Sequence, residues 1–133
     1  MPPTAPHIRD ERGQALAELA IVLPVLAGLL LGIIQFGIAF NHYLSLTDAV
    51  RAGARTAAVS RHLGAGAAVD ATKTAVQNAT SDITLTDSQV SVDSTWTQGS
   101  QVTVTATYPY SISIFGLPVI TGDLTSTTKE RVE

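Results

Sequence analysis

Hydrophobic and polar positions divide the chain into three unlike stretches. The first, MPPTAPHIRDER (1–12), is polar, holds three prolines and has no periodicity, which is the pattern of a flexible leader. The second is apolar. From Leu19 to Phe40 run 22 residues without a charge. As a helix rising about 1.5 Å per residue, that run is roughly 33 Å long and can cross a hydrocarbon core of about 30 Å. The following NHYLSLTDAVRAGARTAAVSRHL is rich in Ala, Leu and Arg and free of Pro, so the same helix is expected to continue to residue 63. Asp48, Arg51 and Arg55 then share one charged face. GAG at 64–66 predicts a break, and AAVDATKTAVQNAT a short second helix with Val69 and Val76 inward.

After Ser81 the period changes to two. QVSVDSTW (89–96) and QVTVTATY (101–108) alternate apolar and polar residues, as half-buried strands do, and TQGS between them supplies a turn with Gly99. Val90 and Val92 are expected to face the same way as Val102, Val104, Ala106 and Tyr108. SISIF and DLTSTTKERVE read as further strands, with GLPVITG (116–122) as the loop between them. The expectation is therefore an α+β, membrane-anchored chain: a leader (1–13), a transmembrane and extended helix (14–63), and a small domain (64–133) with a short helix and an antiparallel sheet.

Composition supports this division. Hydrophobic residues make up 45% of the chain, but charged residues only 14% and aromatics 5%, and the apolar content is gathered near the N-terminus. A soluble chain this short has too little left over to bury the Leu19–Phe40 helix. A secretory signal peptide has a shorter apolar region and a small-x-small cleavage site, which GIAFNHYL does not provide. The net charge of −3 gives no basic footprint for nucleic acid. With no Cys there is neither a disulfide framework nor a thiolate metal site. His7, His42 and His62 are scattered, and Asp70, Asp82, Asp87 and Asp93 lack calcium-loop spacing. No phosphate loop, nucleophile elbow or catalytic acid pair is present, so the sequence predicts no enzyme, cofactor or metal.

Two features of the apolar helix carry chemistry. At about 100° per residue, Pro24, Gly28, Gly32, Gln35, Ala39, His42, Leu46, Val50, Gly53 and Ala57 lie on one face, which is small or polar in its membrane half. Small residues let helix backbones approach in lipid, and an amide such as Gln35 can hydrogen-bond across helices. This face reads as an assembly seam, strengthened by its continuation past the membrane; the plainer reading is a lone anchor in which Gly is common. The second feature is Glu18, at the rim of the apolar run. It suits the positive end of the helix macrodipole, or it awaits a cationic partner, since an unpaired carboxylate in a membrane is costly. Physics alone does not separate these two readings.

Arg12-Gly13, Glu18, VLP (22–24), LLLGIIQFG (29–37) and AVRAGARTAA (49–58), in that order, resemble the N-terminal signature of the TadE-like family. These are pilin-like membrane proteins of the Tad (tight adherence, Flp pilus) system. The tail VTVTATYPYSISIFGLPVITGDLTSTTKERVE resembles the sheet end of such proteins more weakly. The resemblance implies a prepilin-type signal, cut by a membrane aspartyl peptidase between Gly13 and Gln14, with Glu18 as the fifth residue of the mature chain. It implies that Glu18 neutralises the new terminal amine of a neighbouring subunit. Leu19 follows Glu18 where processed Tad pseudopilins carry Tyr, so an uncut, anchored subunit is the alternative.

The expected function is that of a minor pilin or pseudopilin in pilus assembly or secretion. Its expected partners are other pilin-like subunits, Tad inner-membrane assembly proteins, a prepilin peptidase and membrane lipid. The expected location is the bacterial inner membrane, single-pass and N-in, with the domain extracytoplasmic and a place in a surface pilus as a further possibility. The arginines flanking the span do not decide that orientation. The alternative function is an independently anchored surface-binding or adhesion module. In that reading the segments near Trp96, Tyr108 and Tyr110 form either a contact patch or core.

Overall fold

The computed structural model describes residues 8–114 and 116–133, with side chains from Gly13 onward. Helix α1 runs Ile8–Val59 and passes through Pro24 without interruption. It thus begins inside the stretch read as a leader; the part of that stretch before Ile8 lies outside the described residues. One turn of 3-10 helix, Ser60–Leu63, follows, and the break comes at Gly64, whose φ of 84° is open to Gly but strained for other residues. Helix α2, Ala65–Asn78, starts sooner than the GAG motif implied. Its buried face is Ala68, Thr72 and Val76, one turn apart, while Val69 is only half-buried.

Three strands form an antiparallel sheet in the order β1-β2-β3: β1 Val90–Ser94, β2 Gln101–Ile114 and β3 Leu117–Arg131. The register sets Val90 opposite Ala106 and Val92 opposite Val104. Val90, Val102, Val104 and Ala106 are buried in one core, and Val92, Trp96, Tyr108 and Leu124 pack against it. The period-two reading therefore placed the inward face correctly. The outward face is threonine: Thr105 pairs with Thr127 at 3.0 Å and Thr107 with Thr125 at 3.4 Å across β2 and β3. The expected turn is present, closed by Ser100 N–H on Thr97 C=O with Gly99 at φ 82°.

The segment GLPVITG is not a loop. β2 continues to Ile114 and β3 begins at Leu117, with Ser113 opposite Pro118 and Ile112 opposite Ile120. Only two residues separate the strands, and Gly116 takes a φ of 80° there. Gly and Pro mislead here because both strands are edges in this region. β1 begins with Val90 opposite Ala106, so Pro109 sits beyond the stretch where β2 has that neighbour, and Pro118 lies on the outer strand. A missing N–H removes no ladder bond at such positions.

The core joins these elements to the last third of α1. Leu46, Ala49, Val50, Ala54 and Ala57 pack against Val76, Ile83, Leu85, the β-strand valines and Val132. Fully burying a Val or Leu contributes about 1.5–3 kcal/mol. The chain end completes this layer: Val132 N–H donates to Ser100 C=O and Glu133 N–H to Ala58 C=O.

Candidate processing and assembly site

Gly13 and Gln14 lie within α1, and a Cβ on Gly13 would meet nothing within 4 Å. The peptide bond between them is therefore helical, and a protease that reads an extended strand must first unwind it. Glycine in a helix interior lowers the cost of that unwinding by about 0.5–1 kcal/mol relative to Ala. Gln14 Nε2 donates to Glu18 Oε1 at 3.1 Å, one turn along the exposed surface. The two residues of the candidate signal are thus in direct contact, and the Glu18 carboxylate is oriented by the side chain whose backbone would carry the new amine.

The face from Pro24 to Ala57 divides into two environments. Large side chains throughout the apolar run are exposed, among them Leu23, Leu26, Leu29, Ile33 and Phe36. At Gly28, Gly32 and Gly37 an added Cβ would meet nothing within 4 Å, so the chain's own packing does not require glycine there. Pro24 is exposed, and Gln35 and Ala39 are half-buried. The second environment is closed. Leu46, Val50 and Ala57 are fully buried, and a Cβ on Gly53 would lie 2.3 Å from Val76 Cγ2 and 3.4 Å from the Thr72 carbonyl oxygen. The continuation of the face beyond the apolar run thus serves the chain's own core and leaves no surface there for another subunit. Its open part is Pro24, Gly28 and Gly32, while Gln35 and Ala39 are half-buried beside Tyr108 and Tyr110.

Between the two environments lies a polar collar that sequence reasoning missed. Asp82, in the segment after α2, accepts hydrogen bonds from Asn41 Nδ2 at 2.6 Å and from Ser45 Oγ. The Ser45 bond holds the Asp82 carboxyl below the usual carboxylate range, with nearby His42 as a further, smaller favourable charge. The His42 ring meets Tyr108 edge-on, with centroids 5.7 Å apart. No local motif could reveal this set, because Asp82 lies 37 and 41 residues from its partners. Trp96 and Tyr108 pack on the core, which supports their reading as packing residues, while Tyr110 lies over Gly122.

His7 falls outside the described residues. Among the described residues no three His, Asp or Glu side chains are grouped to share a cation. Among them, too, one helix is long and apolar enough to cross a membrane, and its apolar window is unburied.

Comparison with known proteins found no match among curated proteins or solved structures. Residues 13–55 match the family model described as TadE-like protein. That interval opens on the Gly of the candidate signal, takes in Glu18 and every open glycine of α1, and closes in the buried turns beyond Gly53. Over that stretch the chain is similar to TadE-like proteins, a family associated with the Tad pilus.

Proposed function

We propose that this chain is a minor pilin or pseudopilin of a Tad/Flp-type pilus or secretion machine. The apolar part of α1 anchors it in the bacterial inner membrane, N-in, with the sheet domain on the extracytoplasmic side. Pro24, Gly28, Gly32, Gln35 and Ala39 pack against the helices of neighbouring pilin-like subunits. The observation that carries this reading is the contrast among glycines: Gly53 is required by a neighbour in its own chain, whereas Gly28 and Gly32 face open space. Small residues without an internal reason, on a lipid-exposed helix, favour close approach of a second helix.

In this reading a prepilin peptidase cuts between Gly13 and Gln14, and Glu18 pairs with the terminal amine of an adjacent subunit. Opposite charges at 4 Å interact by on the order of 4 kcal/mol at an effective dielectric of about 20, against the desolvation each must undergo. The role is structural rather than catalytic. Intact-mass measurement of the membrane-extracted chain tests the processing step: a chain beginning at Gln14 is expected, and one that keeps Met1 sinks it. Because the native chain has no Cys, Gly28→Cys and Gln35→Cys variants test the seam by cross-linking in the membrane. A second reading has its own support, since the domain closes a core of its own. An independently anchored surface module would remain monomeric in the same cross-linking experiment.

A further inference from the structure

The molecule has a second exposed apolar element, the tip of the β2–β3 hairpin, and its relation to a membrane rests on reading α1 as a span. β2 runs alongside α1 in the opposite sense. Near the start of β2, Gly99 and the paired end of β3 flank Arg55 and Ala58 of α1; further on, Tyr108 meets His42, and Tyr110 and Ile112 lie beside Phe36, Ala39 and Phe40. A strand advances about 3.3 Å per residue and a helix about 1.5 Å, so each strand residue passes roughly two helix residues. Continued from Ile112, this places Ile114 and Leu117 at the level of about Leu30 to Ile34, inside the charge-free run of α1.

The hairpin changes character where it reaches that level. Residues 109–122 hold no Asp, Glu, Lys, Arg or His. The threonine alternation of β3 gives way to Leu117-Pro118-Val119-Ile120, apolar without interruption. Leu117 is 70% exposed, Val119 59% and Ile120 49%. Among the described residues nothing buries these side chains, and they continue the exposed apolar surface of α1. The strand edges fit the same setting. Pro109 and Pro118 each remove an N–H that would lack a partner in lipid, and Tyr43, Tyr108 and Tyr110 stand where α1 leaves its apolar run, as aromatic residues do at membrane interfaces.

We propose that the tip of the β2–β3 hairpin, through Ile114, Leu117, Val119 and Ile120, is embedded at the boundary of headgroups and acyl chains in the leaflet facing the C-terminal domain. It forms a second membrane contact that fixes the domain's tilt and rotation over the bilayer. This contact does not depend on which side of the membrane the domain occupies.

The test uses the full chain in phosphatidylcholine–phosphatidylglycerol vesicles, with single-cysteine variants Leu26→Cys, Thr105→Cys and Val119→Cys carrying an environment-sensitive fluorophore. Labels at 26 and 119 should be quenched by nitroxide-labelled acyl chains, and the label at 105 by aqueous iodide only. Adding Ile120→Asp to the 119-labelled chain should lower its lipid quenching several-fold, while the same substitution leaves the signal at 26 unchanged. Iodide access at 119 with lipid quenching at 26 would overturn the hairpin contact and leave the anchor standing. Shielding of 119 from both quenchers would overturn it in favour of a protein neighbour. Iodide access at 26 would remove the anchor and the hairpin contact together.

Discussion

The two halves of α1 use small residues for opposite purposes. Around Gly28 and Gly32 no neighbour lies within Cβ reach, whereas Gly53 admits α2 so closely that an added Cβ would overlap Val76. The two kinds of glycine share one face of one helix, yet the first is free to meet another molecule and the second is already occupied. Periodicity shows only that a face is small. What fills the space decides whether the face builds a core or remains available.

The largest effect expected from breaking this contrast is Leu46→Ala, which empties a fully buried site and should destabilise the domain by about 2–5 kcal/mol. The single tryptophan, Trp96, packs against that core, so its fluorescence during denaturant unfolding in detergent measures the loss without a signal from the apolar part of α1. Gly53→Val comes next. The forced shift of Val76 should cost about 1–3 kcal/mol by the same readout; an unchanged midpoint would mean that α2 does not sit on Gly53.

Asp82→Asn should have a smaller effect, at most about 1 kcal/mol, because the collar is exposed to solvent. Its pH dependence is the sharper signature. The folded Asp82 carboxyl titrates below its ordinary value of 3.8, so its contribution is complete above that value and is lost as pH falls through the folded value. The native chain should therefore lose more stability than the variant on acidification below 3.8. Smallest for the domain, and most telling for the comparison, is Gly28→Leu combined with Gly32→Leu. The Trp96 unfolding midpoint should stay within about 0.5 kcal/mol of native, while cross-linking through Gln35→Cys disappears.

Much of the architecture was legible because simple periods described it. The charge-free run, the break at Gly64 and the alternation in β1 and β2 all follow from local rules. Three features were not legible, for distinct reasons. GLPVITG carries loop-forming residues, but Pro109 and Pro118 lie on edges where a strand tolerates them, so composition misjudged the hairpin. Gly53 was grouped with Gly28 and Gly32 because helical angle cannot tell α2 from a neighbouring subunit. Asp82 had no local signature, since its partners Asn41 and Ser45 lie 41 and 37 residues earlier, on α1. Gly13 and Glu18 were read as a processing signal only through the family resemblance, and the contact of Gln14 with Glu18 is a geometry that the resemblance did not contain.

The bond from Glu133 N–H to the Ala58 carbonyl and the burial of Val132 also have a consequence for timing. The core layer beneath Ala58 is closed by residues about 75 positions downstream, a separation that slows folding because long loops must be ordered before their contacts form. In the proposed N-in orientation the domain emerges from its α1 end, which exposes Leu46, Val50 and Ala57 well before Val132 arrives to cover them. During that interval the nascent domain presents an open apolar groove beside its anchor, the stage at which a chaperone would have most to hold.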